Sequence, residues 1–181
     1  MAVTDYKFPG TAANVDRNSK SAWVNPDYAK ADDTSYAECS GIKNTYSDWL
    51  LLTNFGFTSS DIPSGATIDG IEFEIARYSY EVNMTNDSAL YYYDDGQVGN
   101  NLASATKWPV SIRTATYGGA TDKGGTSLTQ ADIVASTFGV MLSAAGAASD
   151  VAGGGVDYVK IRVYYTAGGA SVKPYYYYLN Q

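Results

Sequence analysis

A strand, a tight glycine-punctuated connection and a second strand follow one another between Leu50 and Tyr80, the grammar of an antiparallel β-sandwich. Within this stretch Ile71, Phe73 and Ile75 alternate with Glu72, Glu74 and Ala76. Successive side chains of a strand point to opposite faces, so a period of two marks one face on a core and one towards water. Upstream, Leu50 and Leu52 share one face while Trp49, Leu51 and Thr53 take the other, the pattern of a central strand covered on both sides. Pro63-Ser64-Gly65 is a turn signal, and Gly56, between Phe55 and Phe57, is expected to mark a bulge or close backbone approach.

The same period returns near the C-terminus, where Val159, Ile161, Val163 and Tyr165 alternate with Lys160, Arg162 and Tyr164. Shorter strands are expected around Tyr36–Cys39, at Trp108–Ile112 and at Phe138–Leu142. Ala89–Tyr93 and Asn101–Ser104 are expected to form a hairpin with a long tip, Asp94-Asp95-Gly96-Gln97-Val98-Gly99. Thr126–Ser136 is the one helical candidate: Thr129 can cap it, with Asp132 at the third helical position and Leu128, Ile133 and Val134 on an apolar side. The Gly/Ala-rich residues 144–155 read as a flexible loop. Residues 1–20 lack periodicity and read as an extended arm. Residues 21–166 hold the strand pattern and form the domain. Residues 167–181 leave it through Gly168-Gly169 as a Tyr-rich tail. About eight strands and one short helix, without β/α alternation, give an all-β, jelly-roll-like antiparallel sandwich with extended N- and C-terminal arms.

Composition excludes several kinds of work. Twelve Lys and Arg against nineteen Asp and Glu leave a net charge of −7, and the basic residues are scattered singly. Nucleic-acid binding needs a basic footprint to neutralise phosphates, and anionic membranes need the same, so neither is an expected partner. No run approaches transmembrane length, and Met1–Gly10 lacks the charged-then-apolar pattern of a signal peptide. Synthesis in a cytoplasm without export by the usual route is the expectation. The chain has no His and one Cys, Cys39, so a nucleophile–imidazole pair and the usual zinc sites are ruled out. Cys39 reads as a small buried apolar residue. Glu72 and Glu74 have a spacing that suits a pair of glycosidase carboxylates, yet on an amphipathic strand they are simply its solvent side. Asp32-Asp33 and Asp94-Asp95-Gly96 lack the alternating acids of a calcium loop and read as turns. No catalytic residue, cofactor or metal is expected.

The chain has 17 Tyr against 5 Phe, and two runs stand out. Tyr91–Tyr93 reads as sheet packing. Tyr175, Tyr176, Tyr177 and Tyr178 follow a glycine hinge and Pro174. They suit either a stacking platform for sugars or an anchor on a neighbouring subunit. The interface is favoured, because four exposed rings on a free tail are a liability.

Several segments in order resemble a known family: Ser21-Ala-Trp-Val-Asn-Pro26, Leu52-Thr-Asn-Phe-Gly-Phe57, Ile62-Pro-Ser-Gly-Ala-Thr-Ile-Asp-Gly-Ile71, Tyr117-Gly-Gly-Ala-Thr-Asp122, Leu128-Thr-Gln-Ala-Asp-Ile133, Phe138-Gly-Val140 and Asp157-Tyr-Val-Lys-Ile-Arg-Val-Tyr-Tyr-Thr166. This series is similar to β-sandwich structural proteins of tailed-bacteriophage virions, among them capsid decoration, head-fibre and tail-associated proteins. The resemblance implies a non-enzymatic virion component, with the major capsid protein or neighbouring copies as partners in a homo-oligomer, a trimer or another ring. The alternative it leaves open is a carbohydrate-binding adhesion module of a head fibre or tail, with a surface glycan as partner.

Overall fold

The computed structural model describes residues 1–18, 21–82, 85–148 and 152–168. Its strands are β1 (Ala2–Val3), β2 (Thr11–Val15), β3 (Ala37–Ser40), β4 (Trp49–Thr53), β5 (Thr67–Ser79), β6 (Thr85–Tyr93), β7 (Gln97–Val98), β8 (Arg113–Gly118), β9 (Gly139–Gly146) and β10 (Gly153–Thr166). They form two antiparallel sheets. The first runs β1-β10-β5-β8, with β3 paired to the other end of β10, and the second runs β2-β4-β9-β6-β7. Apart from the β6–β7 hairpin, each strand lies in the opposite sheet from the one before it. This alternation makes the sandwich jelly-roll-like: strands pair with partners distant in sequence, and both sheets form together.

The two inner faces supply the core. Ile71, Phe73 and Ile75 of β5 and Val159, Ile161 and Val163 of β10 meet Leu50 and Leu52 of β4, Val140 and Leu142 of β9, and Leu90 and Tyr92 of β6. Two irregularities adjust the alternation. A bulge between Val156 and Tyr158 inserts one residue in β10, and another between Asp87 and Ala89 lets both Asp87 and Leu90 lie buried in β6.

The helix forms as its sequence indicates, over Gln130–Val134, with Thr129 and Asp132 closing a reciprocal capping box and Ile133 buried. Pro63 and Gly65 make the expected turn, Ala66 donating to the Pro63 carbonyl at 3.0 Å with Gly65 at φ +78°. Gly56 sits at φ +68° in the connection from β4 to β5, outside any strand. Cys39 is buried, and burial pushes its thiol up to about 12, the state of an inert core residue.

Four segments differ from their expected form. Trp108–Ile112, expected as a strand, lie outside any strand: Trp108 is buried beside Asp87, and β8 begins only at Arg113. Of residues 1–20, expected as an arm, the described residues 1–18 give an edge strand to each sheet: β1 pairs with β10 and β2 with β4, while Lys7 bridges Ile161. Their pattern is weak because they lie on the sandwich's margin, where little of each side chain is buried. The Ala89–Ser104 hairpin has a short tip, since Asp95, at φ +49°, lets Gln97 pair directly with Tyr93, and Asn101–Ser104 is not a strand. The Gly/Ala stretch expected as a loop is strand at both its ends. Ala144–Gly146 end β9 and Gly153–Gly155 open β10, where β3 and β5 crowd in from both sides. A Cβ on Gly154 would stand 2.0 Å from the Tyr78 carbonyl, so glycine is required there by close approach and not by flexibility.

Candidate functional site

Polar groups gather in three places, and their burial and partners decide what each can do. The first is inside the core. Arg77 on β5 and Asp87 on β6 face each other between the sheets at 2.5 Å, their side chains 5% and 0% exposed. Asp87 Oδ1 also accepts from Trp108 Nε1 at 2.9 Å, and Oδ2 accepts from the Tyr117 hydroxyl at 2.6 Å and the Ser104 amide at 2.9 Å. Arg77 donates to Tyr117 as well, and its guanidinium lies over the rings of Trp108 and Tyr117 at 5.2 and 5.4 Å. Both Asp87 oxygens, the Trp108 indole N–H, the Tyr117 hydroxyl and one guanidinium nitrogen of Arg77 are engaged within the cluster. It joins the sheets and offers nothing to a ligand. A second tie runs alongside, where the Tyr92 hydroxyl donates to the Ile71 carbonyl across the sandwich at 2.9 Å.

The second place is the outer face of the first sheet, where the polar side of β5 meets that of β10. Lys160 pairs with Glu74 at 2.8 Å and Arg162 with Glu72 at 2.7 Å. Tyr6 lies across this ladder, its hydroxyl bonded to Glu72 and, at 3.0 Å, to Glu74, its ring beneath Lys160 and Arg162 at 4.6 and 4.7 Å. The two glutamates are therefore half-buried under the N-terminal segment and not the open solvent side expected of them. Burial works to raise Glu74, but hydrogen bonds from Lys160 and Tyr6 and the charges of Lys160 and Arg162 outweigh it and hold the carboxyl below its ordinary value. A proton-donating acid needs the opposite shift.

At the same edge the Lys7 hydrogen bond, working against burial, lowers Asp61. A carboxyl whose folded value lies below its unfolded one binds its proton more readily when unfolded. Both residues thus contribute stability that is present at neutral pH and lost as pH falls through their folded values. The urea midpoint should hold steady from pH 7 to about 5 and fall below about pH 4, near and beneath the ordinary carboxyl values. The double variant Glu74→Gln, Asp61→Asn should show a shallower fall.

The third place is a groove on the same outer face, nearer the start of β10. The β10 bulge lets Asp157 and Tyr158 share that side, and the turn Asp32–Ser35 packs against them. Two depressions of about 180 and 310 Å³ meet at Ile112. The smaller is lined by Asp32, Arg113, Thr114, Asp157 and Tyr158, the larger by Tyr36, Tyr78, Val110 and Ile112. Asp157 is 4% exposed, and its Oδ1 has no hydrogen-bond partner. Burial raises its carboxyl above the ordinary range and the charges of Asp32 and Asp33 add to this, against backbone hydrogen bonds from Asp33 and Thr34. Thr34 holds φ +65°, an uncommon value for a β-branched residue. In the larger depression the rings of Tyr36 and Tyr78 meet edge to face at 5.1 Å, and the Tyr78 hydroxyl donates to Glu38 at 2.5 Å. A Cβ on Gly155 would stand 2.5 Å from the Tyr78 ring, so the absent side chain is what seats the ring against the sheet.

Among the residues singled out from sequence, Tyr175–Tyr178 lie outside the described residues. Tyr91–Tyr93 pack as a strand of the second sheet, Tyr92 fully buried against Phe73 and Tyr91 edge-on to Trp49. Among the described residues no group of three or more acidic, His or Cys side chains is placed to hold a metal ion. Sequence reasoning did not single out the groove. Its one local signal is Tyr78-x-Tyr80, two rings on the polar side of a strand. The remaining walls come from β8, β10 and the two loops that precede β3 and β8, which only the fold brings together. Comparison with family models, curated proteins and solved structures finds no match. The class the fold defines is an all-β sandwich of jelly-roll type.

Proposed function

We propose that the chain is a non-enzymatic structural protein of a tailed-phage virion, a decoration or cement subunit seated on the capsid beside copies of itself or the major capsid protein. The observation that supports this best is where the resembling segments fall. Though scattered between residues 52 and 166, six of them fall into two contact groups, one of residues 62–71, 117–122, 128–133 and 157–166 and one of residues 52–57 and 138–140. Ile71 exchanges backbone hydrogen bonds with Gly119 and Asp122, and β5 pairs with β10 from Thr67↔Thr166 onward. Gln130 donates to the Ile62 carbonyl at 3.1 Å, and Phe138 packs against Phe55 and Phe57. The segments that carry the resemblance are thus strands and connections of the sandwich itself, which supports reading them as parts of one structural unit.

The test is fractionation of the particles that carry the protein into DNA-filled heads and tails, followed by quantitative mass spectrometry. The protein should accompany heads in fixed ratio to the major capsid protein; recovery only outside particles overturns the reading. Light scattering should give a trimer or another ring, and deletion of residues 172–181, which removes the proposed contact Tyr175–Tyr178, should weaken it. A second reading, a carbohydrate-binding adhesion module of a head fibre or tail, is favoured by the Asp157–Tyr78 groove and predicts recovery with fibres or tails.

A further inference from the structure

We infer that the groove running from Asp157 to Tyr78 is a binding site for a neutral saccharide, of two or three hexose units. The inference deepens the second reading above and rests on it. The argument begins with Asp157. A buried polar atom left without a partner costs about 1–3 kcal/mol, more for a charged group, and folded proteins keep few of them. Oδ1 of Asp157 is such an atom, on a side chain that lines the groove. It lacks a hydrogen-bond donor, and the groove is where one can arrive. The exposed side chains lining the same depression, Asp32, Arg113 and Thr114, are those that rotate to admit it.

The other walls decide what carries that donor. Arg113 lines the same depression as the two carboxylates, so a second cation has to share the site with a guanidinium, whereas an anion meets Asp32 and Asp157. A neutral ligand with neighbouring hydroxyls meets neither penalty: its hydroxyls donate to the carboxylates and accept from Arg113 and Thr114. The larger depression is chemically different. Tyr36, Tyr78, Val110 and Ile112 form an apolar wall, with Val110 52% exposed. Burial, with the bond to Glu38 adding to it, raises the Tyr78 hydroxyl well above its ordinary value, and burial takes Tyr80 up to about 12, so both rings remain neutral. A pyranose has this same division, with hydroxyls on its rim and C–H groups on its faces. One wall of hydrogen-bonding groups joined to one wall of aromatic and aliphatic carbon is the usual chemistry of small-ligand sites.

A wider depression of about 440 Å³ lies between the β6–β7 turn and the loop before the helix. Its acids are already occupied, Asp132 by Thr129 and Asp94 by Thr137, so it lacks an unpartnered group of this kind.

The experiment uses the full chain with neutral gluco-, galacto- and manno-oligosaccharides of three to six units, an oligogalacturonate as the anionic probe and oligolysine as the cationic one. Binding is read by saturation-transfer NMR and calorimetry. At least one neutral oligosaccharide should bind. Asp157→Asn and Tyr78→Ala should each weaken it tenfold or more, while Tyr78→Phe, which keeps the ring, should weaken it less than threefold. Asp157→Asn should melt no lower than the parent, because it removes a buried charge, which separates lost binding from lost folding. Neutral-sugar binding that is unchanged in Asp157→Asn and Tyr78→Ala overturns the groove while leaving a carbohydrate-binding module in place. Binding of no neutral probe, or of oligolysine or oligogalacturonate in its stead, overturns both.

Discussion

Asp87→Ala should lower stability by about 3 to 5 kcal/mol, the cost of removing one partner of a buried ion pair. Four donors lose their acceptor together: the Arg77 guanidinium, the Trp108 indole N–H, the Tyr117 hydroxyl and the Ser104 amide. Arg77 is then a charge with 5% of its side chain exposed and no counter-ion beside it. The Tyr117 hydroxyl and the faces of Trp108 and Tyr117 remain to it, none of them a counter-charge, and a cation–π contact is worth about 0.5 to 2 kcal/mol. At roughly 2–4 °C per kcal/mol for a chain of this size, the melting temperature should drop by about 10 °C. The double variant Arg77→Met, Asp87→Leu should recover most of the loss, because a well-packed apolar pair has no desolvation cost to offset. Urea titration of parent, single and double variants checks this. A double variant no better than Asp87→Ala would mean that the pair is net stabilising in its own right and does not merely lock the two sheets in register.

The fold class was legible because the long strands write their burial into the sequence. On β5 and β10 every second residue is apolar, and those residues are the buried ones from Ile71 to Ile75 and from Val159 to Val163. The helix was legible because Thr129 and Asp132 stand at the spacing that a capping box needs. Segments whose environment is set by distant strands were not. Gly153–Gly155 carry no side chain to show a period, and their strand state comes from crowding by Cys39 and Tyr78, more than 70 residues away in sequence. Asp87 interrupts an apolar face for the sake of Arg77, a partner in the opposite sheet. Glu72 and Glu74 do alternate correctly, yet the alternation cannot announce that Tyr6 covers them. The groove was illegible for the same reason. Asp157 faces it only because of the bulge beside Val156, and no pattern of twos predicts an inserted residue.

Removing residues 1–16 should therefore do more damage than trimming a tail. The segment supplies both β1 and β2, and between them it pins the margin of the sandwich. Thr4 donates to the Val163 carbonyl at 3.0 Å, and its hydroxyl accepts from the Val163 amide at 3.0 Å. Lys7 exchanges two backbone hydrogen bonds with Ile161 at 2.8 and 2.9 Å, and Gly10 donates to Asn54 at 2.8 Å. At about 0.5–1.5 kcal/mol net for each hydrogen bond, these five together contribute several kcal/mol when packing holds the segment in place. Packing does position it. Tyr6 is held beneath Lys160 and Arg162, Phe8 meets the Tyr158 ring edge-on at 5.8 Å, and the Trp23 amide bonds to Asn14 at 2.7 Å. The truncated chain should lose about 3 kcal/mol or more of stability in urea. It should also self-associate, because the middle of β10 and the whole outer edge of β4 become unpaired strand edges. Deleting only residues 1–5 should cost less, since it spares Tyr6, the Lys7 bridge and β2. A chain starting at residue 17 that melts like the parent and stays monodisperse would show that the segment rests on the sandwich without holding it together.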